Sequence, residues 1–238
     1  MSFETQNLEK AVFSLPQPSS AGAKTYRYLR YEQIERTFFP NDDSLEPQTL
    51  CWVLLSKGKQ KSPQLHKRAR VLSKCEIENR VLVQYPKGST YRVRRSNLMP
   101  VLEYEENLIL VASETTDYRR TAIVHTRQED HFLEIGCDFG ILVDSVDCAS
   151  RLGVDKSEES IRIAKQRYPS REFLLGDVFE GLDITPQYPL VVAIDINGNR
   201  ELSAVEKCIQ LALELWSPRL VIVKSRELYA KLHSEGTI

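Results

Sequence analysis

From Asn107 onward, short apolar runs alternate with stretches of helical spacing, and this alternation limits the fold more than any other feature of the chain. Asn107–Ala112, His131–Ile135, Arg151–Val154, Glu172–Leu175, Leu190–Ile194 and Leu220–Val223 read as strands. Between them Thr116–Arg127, Asp138–Cys148, Ser157–Arg167, Glu201–Trp216 and a segment from Arg226 read as helices. Strands joined through helices of about 10–15 residues build a parallel sheet with right-handed crossovers.

In such a sheet all strands end at one edge, where open α/β sheets bind ligands. Counting from His131–Ile135, the first strand of this edge runs into FLEIGCDFG, residues 132–140. Its glycines let the backbone approach a ligand closely, and the following helix start offers free N–H groups. The spacing Gly136-x-x-x-Gly140 is not the G-x-G-x-x-G dinucleotide fingerprint. The next strand ends at Gly153-Val154-Asp155. An acidic residue about 20 positions past the loop is placed to accept hydrogen bonds from ribose hydroxyls. The third ends at Gly176-Asp177-Val178, where Asp177 can accept from an exocyclic amino group, and the fourth delivers Asp195.

Taken together, these four strand ends resemble the class I S-adenosylmethionine-dependent methyltransferases over residues 107–224. The resemblance implies a Rossmann-like, doubly wound α/β sheet with S-adenosylmethionine as cofactor. It implies that Glu134, Gly136, Cys137, Asp138 and Gly140 hold the methionine part. Asp155, with Lys156 beside it, would hold the ribose, Asp177 and Val178 the adenine, and Asp195 would face the methyl group. Family sheets end in an antiparallel hairpin after the fifth strand, and that hairpin is missing here. Either other segments fill that edge, or the chain is shortened, or catalysis is lost.

The motif Asp195-Ile196-Asn197-Gly198-Asn199 differs from the [DN]PP[YF] motif of amino-methylating relatives, which argues against an amine acceptor. The fifth strand ends in Lys224, at the same edge as Asp195. A lysine there suits deprotonation of a ribose hydroxyl when burial or cationic neighbours lower its pKa, with the carboxylate orienting it. The Asp-then-Lys pairing is similar to fibrillarin-type RNA 2′-O-methyltransferases, which add a lysine from the helix before the glycine loop. Here that helix offers Arg119 and Arg120, and arginine cannot act as a base near neutral pH.

Upstream, residues 1–45 read as an irregular tail or linker, with SLPQPSSAGA at 14–23 and a helical turn or two over Tyr26–Phe39. Residues 46–103 read as four or five short strands, with Lys57–His66 as a charged loop and a turn at Pro86–Ser89. The run from Glu78 to Val101 resembles the small all-β Tudor/SH3-like barrels of chromatin and RNA proteins. The methyltransferase-like domain then occupies 104–238. Residues 51–100 hold 12 Lys/Arg against 2 Asp/Glu, while 101–238 hold 15 against 24. Lys67, Arg68, Arg70, Arg92, Arg94 and Arg95 of the basic segment are candidates to contact RNA or another polyanion. The same charge could instead dock on the acidic domain. Trp52, Tyr85 and Tyr91 either stack on bases, form an aromatic cage for a methylated side chain, or make the barrel core.

Five cysteines without a CxxC pair indicate neither a disulfide framework nor a zinc site, and read as core residues in a reducing compartment, cytoplasmic or nuclear. No apolar run approaches the ~20 residues of a membrane span, and the first ten residues do not read as a secretory signal. The expected activity is methyl transfer to a macromolecule, RNA favoured. The alternative is a Tudor-like binding module fused to a degenerate methyltransferase fold, and a small-molecule acceptor is a third option.

Overall fold

The computed structural model describes residues 11–13, 26–31, 47–57, 60–75, 79–100, 108–196 and 201–234. The strands in chain order are β1 (Ala11–Phe13), β2 (Tyr26–Arg30), β3 (Leu50–Lys57), β4 (Gln60–Cys75), β5 (Arg80–Gln84), β6 (Thr90–Arg94) and β7 (Leu98–Pro100). After them come β8 (Leu108–Ala112), β9 (His131–Ile135), β10 (Ser150–Asp155), β11 (Glu172–Leu175), β12 (Leu190–Ile194) and β13 (Leu220–Lys224). The helices are α1 (Thr115–His125), α2 (Ile141–Ser145), α3 (Glu158–Arg167), α4 (Leu202–Trp216) and α5 (Arg226–Ser234). Among the described residues no helix is long and apolar enough to cross a membrane.

One sheet has eight strands in the order β1-β2-β8-β13-β12-β9-β10-β11. Seven run parallel, and β1 lies antiparallel on β2. Its central strands are apolar at every position because both faces are covered. Val192, Ile194, Val221 and Val223 face α4 and α5. Alternate residues Val191, Ala193, Leu220 and Ile222 face α1 and α2. This is the doubly wound α/β arrangement expected from the alternation.

The flank of β13 is not open. β8 pairs with it in parallel, Lys224 opposite Ala112, and β2 pairs with β8, Tyr28 opposite Ile109. Segments from the amino-terminal half thus occupy the position expected for a terminal hairpin, and the open-edge argument for a non-catalytic chain falls away. The helical turn expected from Tyr26 is corrected as well, since Tyr26–Arg30 is a strand. Tyr28 and Leu29 are both buried, one in each layer, so the segment shows no period of two. Residues 14–25, 32–46 and 101–107 lie outside the described residues, as do the expectations that fall on them.

The second sheet is antiparallel, in the order β6-β5-β4-β3-β7. The charged loop expected over Lys57–His66 is largely strand: β3 and β4 pair down to Lys57 opposite Gln60. A register shift between Leu54 and Ser56 faces the stretch containing Pro63, which has no N–H for a regular ladder. Cys51, Val53, Ala69, Val71, Val81, Val83, Val93 and Leu98 form this sheet's own core. Trp52 is fully buried in the large sheet's core beside α1, where it cannot stack on a base.

Three successive carbonyls at the end of α1 take side-chain donors, two of them from the antiparallel sheet and one from the residue before β13. Val124 O accepts from Trp52 Nε1 at 2.9 Å, His125 O from Arg219 Nη2 at 2.8 Å and Thr126 O from Arg68 Nη1 at 2.6 Å. The last carbonyls of a helix have no partners within it, and cations suit that end of the dipole. Arg219 also forks onto the fully buried carboxylate of Asp130. Arg68 is therefore not a surface cation. Burial lowers its pKa to about 10, so it stays charged at neutral pH while docked on the larger domain.

Candidate functional site

β9 runs to β10 on one side while β12 lies on its other side, so the sheet switches direction at the carboxyl end of β9. A cavity of about 530 Å³ opens there, within the usual size range of small-molecule sites. Its wall includes Gly136 and Asp138 after β9, Asp155 and Lys156 at the end of β10, Asp177 and Val178 after β11, Asp195 after β12 and Lys224 at the end of β13. Eight of the expected residues thus share one cavity, because parallel strands deliver all their ends to one edge.

The loop after β9 is bare where it meets β12. Gly136 has φ +79°, and a Cβ placed on it would lie 2.1 Å from the Asp195 carbonyl oxygen. Asp195 N donates to Ile135 O at 2.9 Å, which fixes this approach. Asp155 holds the loop from the other side. Its Oδ2 accepts from Asp138 N at 2.9 Å and its Oδ1 from Ser157 N at 2.8 Å. Ser157, not Asp155, caps α3 through Ser160 N. Each oxygen of Asp155 keeps a lone pair for a further donor. Asp177 Oδ1 accepts from Phe179 N at 3.1 Å, which shapes the turn at the cavity's far end.

Three expected residues lie beneath the cavity rather than on its wall. The Cys137 thiol is buried with Val143, Ile161 and Phe173, and burial pushes its pKa up. Gly140 starts α2 at φ +75°, and any Cβ there would strike the Phe173 ring at 2.5 Å, so its role is packing. Glu134 is buried on the α1 side of the sheet. Its Oε1 accepts from Tyr118 Oη at 3.0 Å, while Oε2 is buried with no hydrogen-bond partner among the described residues. Burial raises its pKa to about 8, opposed by the Tyr118 bond and helped by the charge of Asp195.

A carboxyl whose pKa is higher folded than unfolded binds more protons in the folded state. Its stabilisation is complete below the unfolded value near 4.5 and is lost as pH rises through about 8. The melting temperature is expected to fall between pH 5 and pH 9, and Glu134→Gln is expected to flatten that fall. A profile unchanged by the substitution would remove this role from Glu134.

Lys224 Nζ lies 3.1 Å from both Asp195 Oδ1 and Oδ2, each side chain about one-fifth exposed. This pair closes the β13 side of the cavity. The carboxylates of Asp138, Asp155, Asp177 and Asp195 outnumber the ammonium groups of Lys156 and Lys224 on the wall, which favours a cationic ligand. Ser160, Phe179 and Ile196 also line it. They were missed because no strand-end pattern marks them. Arg119 and Arg120 do not line it, and Arg120 lies over the Tyr31 ring at 5.9 Å. Among the described residues no group of His, Cys, Asp and Glu could hold a metal ion. Residues 197–199 lie outside the described residues.

No family model and no curated protein matches the chain. A solved structure, an S-adenosylmethionine-dependent methyltransferase from Clostridium acetobutylicum ATCC 824, is similar over 38% of this chain and 38% of its own length. The identity is 16% and the TM-score 0.31.

Proposed function

We propose that this chain is an S-adenosylmethionine-dependent methyltransferase that methylates a hydroxyl group, the ribose 2′-hydroxyl of RNA being the favoured acceptor. The observation that carries this reading is the Asp195–Lys224 pair at the rim of a cavity built from four acidic strand ends. The residues fit the cofactor. Gly136 leaves a cradle that a Cβ would fill, and the carboxylates of Asp155 and Asp177 stand on the wall around it. Asp155 would hold the ribose hydroxyls, the Asp177–Val178 segment the adenine and the Gly136–Asp138 loop the methionine part.

The cofactor supplies an electrophilic methyl group on a positively charged sulfur. The chain positions the acceptor and handles its proton. Asp195 would accept the hydrogen bond of the incoming hydroxyl while Lys224 holds its carboxylate in place, and that carboxylate would take up the hydroxyl proton when the oxygen is methylated. Placing both groups on the ends of adjacent strands fixes their separation before the acceptor arrives.

Asp155→Ala is expected to weaken S-adenosylhomocysteine binding by ~1–3 kcal/mol, the cost of a lost charged hydrogen bond. Calorimetric titration reads it, and an unchanged affinity would count against the ribose role. The reading itself is tested by incubating the chain with S-adenosylmethionine and cellular RNA, then digesting the RNA to nucleosides for mass spectrometry. New 2′-O-methylnucleosides are expected. Methylation confined to bases or to protein would overturn the hydroxyl assignment.

A further inference from the structure

The face of the antiparallel sheet that docks on α1 through Trp52 and Arg68 carries further arginines that stay exposed beyond the contact. Val81 and Val93 are buried opposite one another, as are Val71 and Val83. Alternation therefore sends Arg70, Arg80, Arg92 and Arg94 to the other side. Register places Arg80 directly opposite Arg94, Leu82 opposite Arg92 and Arg70 opposite Gln84. Arg70, Arg92 and Arg94 are exposed, and Arg80 is partly exposed. Like charges directly opposite in a β-ladder are destabilising. Arg80 Nη1 donates to Arg92 O at 3.3 Å, which ties two of the four across the β5–β6 ladder. Arg68 shares this face by alternation, but it lies over the end of α1, buried and donating to Thr126 O.

We infer that Arg70, Arg80, Arg92 and Arg94 form a binding surface for the phosphate backbone of RNA, separate from the cavity. Guanidinium groups on neighbouring strands match a ligand that repeats its negative charge along its length. The docking contacts fix where this sheet sits. They grip the last turn of α1, beside Arg219 and Asp130 at the amino ends of the strands. The cavity lies at the carboxyl ends, where α1 begins. The 11 residues of α1 separate the grip from that edge by about 16 Å at ~1.5 Å per residue. Substitutions on the arginine face therefore leave the cavity intact. This surface binds RNA whether or not the methyltransferase reading holds. Only its role in presenting the acceptor rests on that reading.

The test is fluorescence anisotropy with a labelled 20-nucleotide single-stranded RNA of mixed sequence, titrated with the full chain over a range of salt. Each neutralised phosphate adds about 0.7 to the slope of log affinity against log salt for single strands. Four contacts predict a slope near −3. The quadruple variant R70Q/R80Q/R92Q/R94Q is expected to lose at least tenfold in affinity and most of the slope. The matching quadruple lysine variant is expected to retain the slope. Both are expected to melt cooperatively and to bind S-adenosylhomocysteine as the unsubstituted chain does. An unchanged affinity in the glutamine variant, or no RNA binding by the unsubstituted chain at low salt, would overturn the assignment. A polyglutamate peptide of equal charge that binds as tightly would overturn it in favour of an acidic protein partner. Loss of methyl transfer with RNA binding intact would instead count against the reading of the cavity, so the two fail separately.

Discussion

Replacing Gly136 with alanine is expected to abolish cofactor binding and to destabilise the larger domain by ~2–5 kcal/mol. Two costs combine. An L-residue in the left-handed region costs roughly 1–2 kcal/mol, and Gly136 sits at φ +79°. The added methyl would also stand 2.1 Å from Asp195 O and 2.7 Å from its carbonyl carbon, both backbone atoms. Backbone cannot rotate aside as a side chain can, so the loop after β9 and the end of β12 must separate, and overpacking of this kind costs ~1–3 kcal/mol. That separation would also draw Asp195 away from Lys224. Gly88→Ala isolates the first cost. Gly88 has φ +85° with nothing within 4 Å of an added Cβ, so only strain of ~1–2 kcal/mol is expected there. Denaturant melts of both variants, with S-adenosylhomocysteine titration of each, check the pair. If Gly136→Ala melts and binds like the unsubstituted chain, the close approach is not what the glycine is for.

The second large effect is expected at Asp195. Asn in its place keeps the shape and removes the charge. Methyl transfer is expected to fall by ~10²–10⁴-fold, the usual contribution of a positioned acid–base group. S-adenosylhomocysteine affinity is expected to stay within about threefold, since Asp195 is assigned to the acceptor's proton and not to the cofactor. Lys224→Met is expected to reproduce the loss, and the double variant to cost little more than either alone, because the two side chains act as one unit. Steady-state rates on an RNA acceptor measure this. Full activity in Asp195→Asn would remove the residue from the reaction.

Much of the larger domain was legible because its signals are local. Strands such as Leu190–Ile194 are apolar throughout, helices such as Leu202–Trp216 keep their spacing, and the polar group ending each strand marks the ligand edge. What the sequence hid depends on distant partners. Tyr26–Arg30 is a strand because β8 offers it a ladder some 80 residues later, Tyr28 opposite Ile109. Its neighbouring residues Tyr28 and Leu29 are buried on opposite faces, so no alternation announces it. Arg68 looks like any other member of a basic run, and only the free carbonyl of Thr126 separates it from Arg70. Asp138–Cys148 forms helix only over Ile141–Ser145, because Val146 turns extended and the chain leaves to start β10.

The site divides in the same way. Asp155, Asp177, Asp195 and Lys224 could be placed from sequence because a strand end fixes a side chain's neighbourhood. Glu134, Cys137 and Gly140 lie in the same motif, yet the pleat and the helix start turn them toward Tyr118, Ile161 and Phe173. A motif fixes where the backbone passes. Which of its side chains reach the ligand is settled by the packing on either side of the sheet.

The central claim is that the strand ends form a working cofactor site. Calorimetric titration of the purified chain with S-adenosylmethionine and, separately, with S-adenosylhomocysteine tests it most directly. Micromolar binding of both is the predicted result. No binding of either, by a chain that melts cooperatively, would contradict it.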